Sequence, residues 1–315
     1  MKAFLKNITY ILILVSVSLV FCSNGSNRVL VNLQTAPLEG RGEINIHYIA
    51  DYITIYESDT HELVLKEYMS KSEQGLYAKI SSDDRTLNIE GGGRPWFSFI
   101  KAEIEIYIPK NYQGKLNITT VSGEVRSRMD LEIKELNISS ASGSITLQSA
   151  RTEKLLLKSK SGSIHIQRAI SKSINIESTS GKISIEKARG ELNLKTVSSK
   201  INVKEIDGSG SFQSASGKIN VCFTHVTNDI FAKTTSGKVL LTIPEDWSFF
   251  FKASTRSGVI KTNFIDNGDT NFKSVSQQIG DSPKINVEIS TSSGGIEIVS
   301  KPAINKEVIN KPHIL

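Results

Sequence analysis

The sequence contains very few of the residue types that build disulfide frameworks or metal sites. Its 315 residues include two cysteines, Cys22 and Cys222. We expect Cys22 to be modified or removed with an N-terminal leader, which leaves Cys222 without a partner in the chain and excludes a disulfide framework. The five histidines are scattered without the spacing of metal ligands, so neither a metal nor another cofactor is expected.

Concentrated positive charge is also lacking. The formal net charge is +6, and two of the positive charges, on Lys2 and Lys6, belong to the leader. No run of basic residues is interleaved with aromatic residues, which make up only 7% of the chain. Nucleic acid is therefore not expected as a partner.

The dominant feature of the chain is a short Ser-Gly phrase that returns at a nearly fixed interval. Its last residue, a glycine replaced once by serine, recurs every 18 to 21 positions, and a further copy, Ser292-Ser-Gly, follows later. Self-similarity with a period of about 20 residues is typical of stacked-repeat architectures. The marked residues, which we number zero in each repeat, are Gly123, Gly143, Gly162, Gly181, Ser199, Gly217, Gly237 and Gly258.

Around each marked residue, apolar and polar side chains alternate with the period of a β-strand. Positions −7, −5, +2 and +4 are mostly aliphatic, as Leu136, Ile138, Ile145 and Leu147 illustrate. The residues between them are polar, so each repeat is predicted to contain two short strands, each with one buried face, joined by a tight turn. A unit of about 19 residues buries too little apolar surface to stand alone and has to stack on its neighbours.

These observations predict an all-β fold, a single-stranded parallel β-solenoid (β-helix-like) of two-strand repeats of about 20 residues. An antiparallel β-meander or sandwich of hairpins is the alternative, because each repeat contains two strands and a turn. The solenoid explains better why the same positions recur without exception, since it stacks identical positions in rows.

The turn residues are more regular than the strands. Position −3 is serine or threonine, and position −1 is serine, in every repeat from Gly123 to Gly258. Both positions have the parity of the inward strand residues, so we expect both side chains to point inward and to satisfy backbone groups at the bend. Glycine is expected to supply a positive φ, and Ser199 indicates that the turn prefers glycine without requiring it.

The first 22 residues are typical of an export signal, with two lysines in front of an apolar run that ends at Phe21. That run is too short to span a bilayer comfortably. Its end, Leu19-Val-Phe-Cys22, resembles a bacterial lipobox, although Phe21 stands where a small residue is usual. Cys22 is therefore predicted to be the site of lipid attachment, with the membrane as partner through this lipid. Cleavage after Gly25, which would give a soluble secreted or periplasmic protein, is the alternative.

The chain is accordingly divided into five segments. Residues 1–22 are the lipoprotein-type signal peptide, and residues 23–36 are a polar tether. Residues 37–118 contain several short alternating stretches and are predicted to form an N-terminal β region that caps the solenoid. Residues 119–300 form the Ser-Gly-marked β-solenoid repeats, and residues 301–315 form a C-terminal tail.

Three features in this order resemble a known group of proteins. They are the stretch Ile104-Glu-Ile-Tyr-Ile-Pro-Lys110, the Ser-Gly-marked strand pairs, and the stretch Val239-Leu-Leu-Thr-Ile-Pro-Glu-Asp246. Over residues 40–298 the chain is similar to the bacterial putative-adhesin family of unknown function, which includes LiaG-like proteins and is related to auto-transporter adhesin heads. The resemblance implies an envelope-associated β-solenoid and supplies no active-site residues.

The predicted function is that of a non-enzymatic, envelope-anchored adhesin or surface interaction protein. Position +1 is lysine in four successive repeats, and stacking would place these ammonium groups in a row about 4.8 Å apart. Such a row is predicted to bind an anionic ligand, for example an envelope or host polysaccharide. A solvated edge that keeps the protein soluble is the alternative. The four residues are Lys182, Lys200, Lys218 and Lys238.

The resemblance to LiaG-like proteins raises a second function, that of an envelope stress-response component with a protein partner. The expected location is the same for both functions. The protein would be exported and anchored by its lipid to the bacterial cell envelope, on the periplasmic or the surface face of the outer membrane.

A carbohydrate-active enzyme on a β-helix is the least favoured hypothesis. Glycoside hydrolysis needs a pair of carboxylates. The outward positions of the repeats are mainly Ser, Asn, Thr and Lys, and Glu186 and Glu191 are isolated. The scattered histidines allow no Ser/His/Asp arrangement. The chain is therefore predicted not to be an enzyme.

Overall fold

The computed structural model describes residues 28–94, 100, 102–265 and 272–302, which form 21 β-strands and one turn of 3₁₀ helix (Gln74–Leu76). None of the helical structure among them has the length and hydropathy to cross a bilayer. The strands before the repeats are β1 (Val29–Pro37), β2 (Glu43–Tyr48), β3 (Tyr52–Ser58), β4 (Glu62–Met69), β5 (Lys79–Ser82), β6 (Thr86–Glu90) and β7 (Ala102–Pro109). The central strands are β8 (Lys115–Thr120), β9 (Val125–Glu132), β10 (Glu135–Ser140), β11 (Ile145–Ser159), β12 (Ile164–Ser178), β13 (Ile183–Thr196), β14 (Ile201–Ser214) and β15 (Ile219–Thr234). The last strands are β16 (Val239–Pro244), β17 (Phe249–Thr255), β18 (Ile260–Thr262), β19 (Ser274–Ile279), β20 (Asn286–Thr291) and β21 (Ile296–Lys301).

Strand β11 shows how one coil of the solenoid is built. It runs from one Ser-Gly corner to the next as a single bent strand. Its first part carries the inward Ile145 and Leu147, its second part carries the inward Leu155 and Leu157, and all four side chains are fully buried. The small side chain of Ala150 is buried at the bend between them. The two strands expected in each repeat, one before and one after a corner, are therefore present as β10 and the start of β11. In this coil the strand that leaves one corner is continuous with the strand that enters the next.

Corresponding parts of successive coils form two ladders. We call the parts that leave each corner the front ladder, which contains, in spatial order, β7, β3, β9, the first parts of β11–β15, β16, β21 and β18. The parts that enter each corner form the back ladder, which contains β6, β2, β8, β10, the second parts of β11–β15, β20, β17 and β19.

Apart from the end strand β19, which pairs antiparallel with β17, the strands of both ladders pair in parallel, with register shifts at local irregularities between some coils. Between β11 and β12, Ile145 lies beside Ile164 in the front ladder and Leu155 lies beside Ile174 in the back ladder. The parallel β-solenoid predicted from the sequence is thus confirmed. The alternative antiparallel meander is wrong, because antiparallel pairing between the described strands is confined to the two ends, in β1–β4, β4–β7, β5–β6 and β17–β19.

The core lies between the two ladders and consists mainly of isoleucine, leucine and valine. Phe212 and Phe223 add an edge-to-face aromatic pair with ring centroids 6.1 Å apart. Each fully buried aliphatic side chain stabilises the fold by about 1.5–3 kcal/mol. The inward positions therefore provide the scaffold, and the charged side chains that vary from coil to coil lie mostly on the outward positions.

At the N-terminal end, the spatial order of the coils differs from their order in the chain. Strand β2 lies between β6 and β8, and strand β3 lies between β7 and β9. The coil of residues 43–58 is thus inserted between two coils that follow it in the sequence.

At the C-terminal end a coil is also inserted out of order, here between strands that precede it in the sequence. Strand β20 lies between β15 and β17, and β21 lies between β16 and β18. The corner at Gly294 therefore stacks between those at Gly237 and Gly258, although it follows both in the chain. This insertion explains why the last Ser-Gly copy is separated from the others in the sequence.

The polar tether predicted for residues 23–36 is wrong from Val29 onward. These residues belong to β1, which pairs antiparallel with β4 and leaves Leu30 and Leu33 exposed while Ala36 is buried. The strand forms because β4 offers an open hydrogen-bonding edge, and β1 covers it. The local composition of the segment contains no information about that distant edge.

The hydroxyl residue at position −3 closes each Ser-Gly corner. Its side chain is buried, and its oxygen accepts a hydrogen bond from the N–H of the marked glycine, at 2.7 Å for Gly143 to Ser140 and 2.8 Å for Gly181 to Ser178. The expected role of these hydroxyls is therefore confirmed. The serines at position −1, such as Ser142, are exposed and not inward. The prediction failed there because the backbone turns at the corner and the two-residue alternation does not continue through it.

The corner glycines are needed for space and not for a left-handed backbone. None of the marked glycines belongs to the described residues with a positive φ, so that prediction is wrong. A Cβ on Gly162 would lie 2.0 Å from the main-chain oxygen of Gly143, and one on Gly181 would lie 1.9 Å from that of Gly162. At these glycine corners the stacking leaves no space for a side chain, because non-bonded atoms do not approach so closely, and Ser199 is the one marked position that carries one.

Candidate functional site

The four lysines singled out in the sequence lie on consecutive rungs of the solenoid, beside the Ser-Gly corners. The N–H groups of Ile183, Ile201 and Ile219 each donate to the carbonyl oxygen of the lysine one coil further on, at 3.0 Å in every case. These bonds fix the spacing of the row at about 4.8 Å. We call Lys182, Lys200, Lys218 and Lys238 the lysine row.

Only one member of the lysine row is neutralised by a described residue. Lys238 forms an ion pair with Glu297, and a hydrogen bond from this lysine holds the pKa of the Glu297 carboxyl below its ordinary value. Within the described part of the chain, Lys182, Lys200 and Lys218 take part in no ion pair. Three adjacent charges thus remain available to an anion from solution.

The acidic residues on the same surface are already engaged further from the corner. Glu186 forms an ion pair with Lys204, with Oε2 2.5 Å from Nζ. Glu205 forms one with Lys187, with Oε2 3.1 Å from Nζ. Between these pairs and the lysine row lie polar residues at position +3, such as Asn202. The residues at position +3 beside Lys182, Lys200 and Lys218 are uncharged, and Glu297 at the end of the row is paired with Lys238. The positive potential of the row is therefore cancelled only at the Lys238 end.

A second candidate site, not identified from the sequence, is a cleft of about 580 Å³ on the outer surface of the back ladder near its C-terminal end. Strands β15, β20, β17 and β19 form its floor. The rings of Phe231 and Phe250 line it, and these two residues are 44% and 47% exposed. We call this feature the aromatic cleft, and its other principal lining residues are Asp229, Lys252, Asn286 and Glu288.

The polar groups of the aromatic cleft hold one another in place. Asn286 donates from its main-chain N–H to Asp229 Oδ1 at 2.8 Å and from Nδ2 to Asp229 Oδ2 at 3.1 Å. Lys252 lies 3.5 Å from Glu288 across neighbouring strands. The amide and the two carboxylates therefore have defined positions and retain free lone pairs.

A signal for the aromatic cleft was present in the sequence. By the strand alternation, Ile230 and Ala232 are inward, so Phe231 between them has to point outward. The same position is asparagine in other repeats, such as Asn175 and Asn193. A large aromatic at an outward position that is polar in most other repeats is the anomaly that indicates a contact surface.

The N-terminal end contains a buried polar network that the sequence reasoning also missed. Glu67 is fully buried and accepts hydrogen bonds from Asn32 Nδ2 at 2.6 Å, the Ala78 N–H at 2.8 Å and the Tyr48 hydroxyl at 3.1 Å. Burial raises the pKa of the Glu67 carboxyl, while these hydrogen bonds act in the opposite direction. The three donors come from distant parts of the chain, so the network ties β1, β2 and β4 together.

A buried ion pair stands next to this network. Arg94 donates from Nε to Asp51 Oδ1 at 2.9 Å and from a terminal nitrogen to Oδ2 at 2.8 Å. Asp51 has a side-chain exposure of 2% and Arg94 one of 9%. The other terminal nitrogen of Arg94 donates to the main-chain oxygens of Leu76 and Gly92. All of these contacts are internal, so we assign this pair to the closure of the solenoid end.

Several site predictions lie beyond what the structure tests. Cys22 and the signal peptide are outside the described residues, as are residues 23–27 and most of the C-terminal tail. Lipid attachment at Cys22 stays a prediction. In the described portion, no group of three or more His, Cys, Asp and Glu side chains is placed to hold a metal ion. Cys222 is a half-buried free thiol, and burial raises its pKa.

Comparison with solved structures finds similar chains at low sequence identity. A putative adhesin from Parabacteroides distasonis is 14% identical with a TM-score of 0.43, over 85% of this chain and 96% of that one. A putative adhesin from Bacteroides fragilis is 12% identical with a TM-score of 0.41, over 85% and 96%. A putative cell adhesion protein from Clostridium sporogenes is 15% identical with a TM-score of 0.31, over 86% and 98%.

One family model matches most of the chain. Among curated proteins no match was found. The model of the Toastrack DUF4097 family matches residues 42–299, which include every Ser-Gly corner and all but the last two residues of the inserted coils at the two ends. The match covers most of the chain, and the protein therefore belongs to the Toastrack DUF4097 family.

Proposed function

We propose that the protein is a non-enzymatic, adhesin-type binding protein of the bacterial cell envelope, and that its lysine row binds an anionic polysaccharide. The observation that carries this proposal is the stacking of four lysines on adjacent rungs, three of them without an ion pair to any described residue. A linear polyanion presents negative charges at short regular intervals along its length. It can therefore neutralise several members of the row at once, which a single small anion cannot do.

The scaffold supports a binding function. Parallel ladders fix the spacing of the Cα atoms that carry the outward side chains, so the backbone needs no ordering when a ligand binds along the row. The catalytic alternative lacks comparable support. The carboxylates Glu186 and Glu205 on this surface are held in ion pairs with lysines, and Glu297 beside the row is paired with Lys238.

The lysine row can be tested with a charge-removing variant. We expect Lys182→Gln/Lys200→Gln/Lys218→Gln/Lys238→Gln to bind immobilised polygalacturonate, a polyuronic acid, at least about tenfold more weakly than the unmodified protein. Biolayer interferometry would measure the affinity at low and physiological ionic strength. Binding by the unmodified protein should also weaken as salt rises, because exposed charges are screened.

A matched control removes the same number of positive charges elsewhere. Glutamine replaces four lysines that already have acidic partners, namely Lys110, Lys154, Lys158 and Lys172. This control should keep most of the affinity. If it loses as much as the row variant, binding depends on net charge alone and the lysine row is not a site.

Anchoring at the envelope is the second part of the proposal, and it rests on the leader sequence. In cells, Cys22→Ala should move the protein from the membrane fraction to the soluble fraction, because two or more acyl chains at about 0.8 kcal/mol per methylene hold a protein durably on a bilayer. Fractionation and metabolic labelling with a fatty acid would measure this. A variant that stays in the membrane fraction, together with an unlabelled wild-type protein, would contradict lipid anchoring.

A further inference from the structure

We propose that the aromatic cleft is a binding site for a short neutral oligosaccharide. It lies on the back ladder, whereas the lysine row lies at the start of the front ladder, so the two sites use different surfaces of the solenoid. The inference goes beyond the proposed function, because it adds a second ligand of different chemistry. A cleft of about 580 Å³ is within the range of sites that hold small molecules.

The two phenylalanine rings provide apolar faces for sugar rings. Phe231 lies beside Glu288, which lies beside Lys252, and Phe250 is two positions before Lys252 on its strand. Strand spacing and rise therefore place the Cα atoms of the two phenylalanines about 12 Å apart on a diagonal across the cleft. One face of a pyranose is rich in C–H groups and packs on an aromatic ring. Two rings at this separation suit an oligosaccharide better than a single sugar.

The floor between the rings provides the hydrogen-bonding groups that sugar hydroxyls need. Each hydroxyl both donates and accepts, so amides and carboxylates are suitable partners. Asn286 has its Oδ1 and one N–H left after its bonds to Asp229, and Glu288 has lone pairs beyond its contact with Lys252. An apolar peptide would leave these groups unsatisfied on binding, which is unfavourable.

The charge of the cleft disfavours an acidic ligand. Its lining has two carboxylates, on Asp229 and Glu288, and one ammonium group, on Lys252. An acidic sugar would meet a net negative surface, in contrast to the lysine row. The cleft therefore selects neutral sugars, while the lysine row selects anionic polymers.

The experiment is a glycan array of neutral oligosaccharides of three to six sugars and their uronic-acid counterparts, probed with the purified protein. We expect binding to one or more neutral members. Phe231→Ala/Phe250→Ala should weaken the strongest of these interactions by on the order of tenfold or more, because both stacking surfaces are lost. Phe231→Tyr/Phe250→Tyr should retain it, because both rings remain.

The control is Tyr52→Ala, which removes another exposed aromatic ring, 55% accessible, at the opposite end of the solenoid. It should leave the array signals unchanged. The proposal is overturned if no neutral oligosaccharide binds, or if the alanine pair binds as well as the tyrosine pair. The glutamine variant of the lysine row should keep neutral-sugar binding, so failure of one proposal is distinguishable from failure of the other.

Discussion

Gly162→Ala is expected to destabilise the solenoid by on the order of 3 kcal/mol or more. The added Cβ would lie 2.0 Å from the oxygen and 2.3 Å from the carbon of the Gly143 carbonyl group, and 2.8 Å from the Ser144 nitrogen. All three atoms belong to the backbone of the neighbouring corner. The clash cannot be relieved by rotating a side chain, so the two coils have to separate locally and lose ladder hydrogen bonds.

Urea unfolding followed by circular dichroism would measure this effect. Gly42→Ala is the matched control, since no atom lies within 4 Å of the Cβ it would add and its φ is not positive. The control should change stability by less than about 1 kcal/mol. Ser199 shows that one rung of the stack accommodates a Cβ. A nearly neutral Gly162→Ala would mean that the other rungs have the same freedom and that close stacking does not select glycine.

Asp51→Ala is expected to destabilise the N-terminal end by about 3–5 kcal/mol, because it leaves the buried Arg94 guanidinium without its counter-charge. The Asp51 side chain is 2% exposed and receives two hydrogen bonds from Arg94, at 2.9 and 2.8 Å. Removing one partner of a buried pair costs more than removing both. Asp51→Ala/Arg94→Met should therefore recover part of the lost stability.

Unfolding curves of the single and double variants would test the pair, and limited proteolysis would locate the opened end. Glu153→Ala is the control, since it breaks an exposed ion pair of 2.9 Å with Lys172 and should change little. If the double variant is as unstable as Asp51→Ala alone, the loss does not arise from an unpaired Arg94. The internal role that we assign to this ion pair would then be wrong.

The central repeats were predictable because their structure depends on local alternation repeated many times. The inward positions lie at the same offsets from the marked residue in every repeat. Ile145 and Leu155 could therefore be placed in the core without knowledge of the fold. Parallel stacking followed from the exact recurrence of the hydroxyl at position −3. The alignment of the four lysines followed from the same register, and the structure places them on consecutive rungs.

Details within the corner were not accessible in the same way. The glycine requirement comes from the distance between two backbones, such as those of Gly143 and Gly162, which are 19 residues apart in the chain. The outward direction of Ser142 comes from a backbone turn that interrupts the alternation. The first property depends on how neighbouring coils meet and the second on the backbone path through the corner, and the alternation of side chains along one repeat specifies neither.

The amino-acid sequence by itself determined the period, the buried rows and the solenoid, because each of these repeats a local pattern of side chains. Only the tertiary structure decided the order of the coils at both ends, where residues 43–58 and 286–301 are inserted between other coils. Parallel edges with the same register are nearly interchangeable, so local sequence does not specify which coil stacks on which. That order brings Phe231 and Phe250 to one cleft, and the closure of the opposite end brings Asp51 to Arg94.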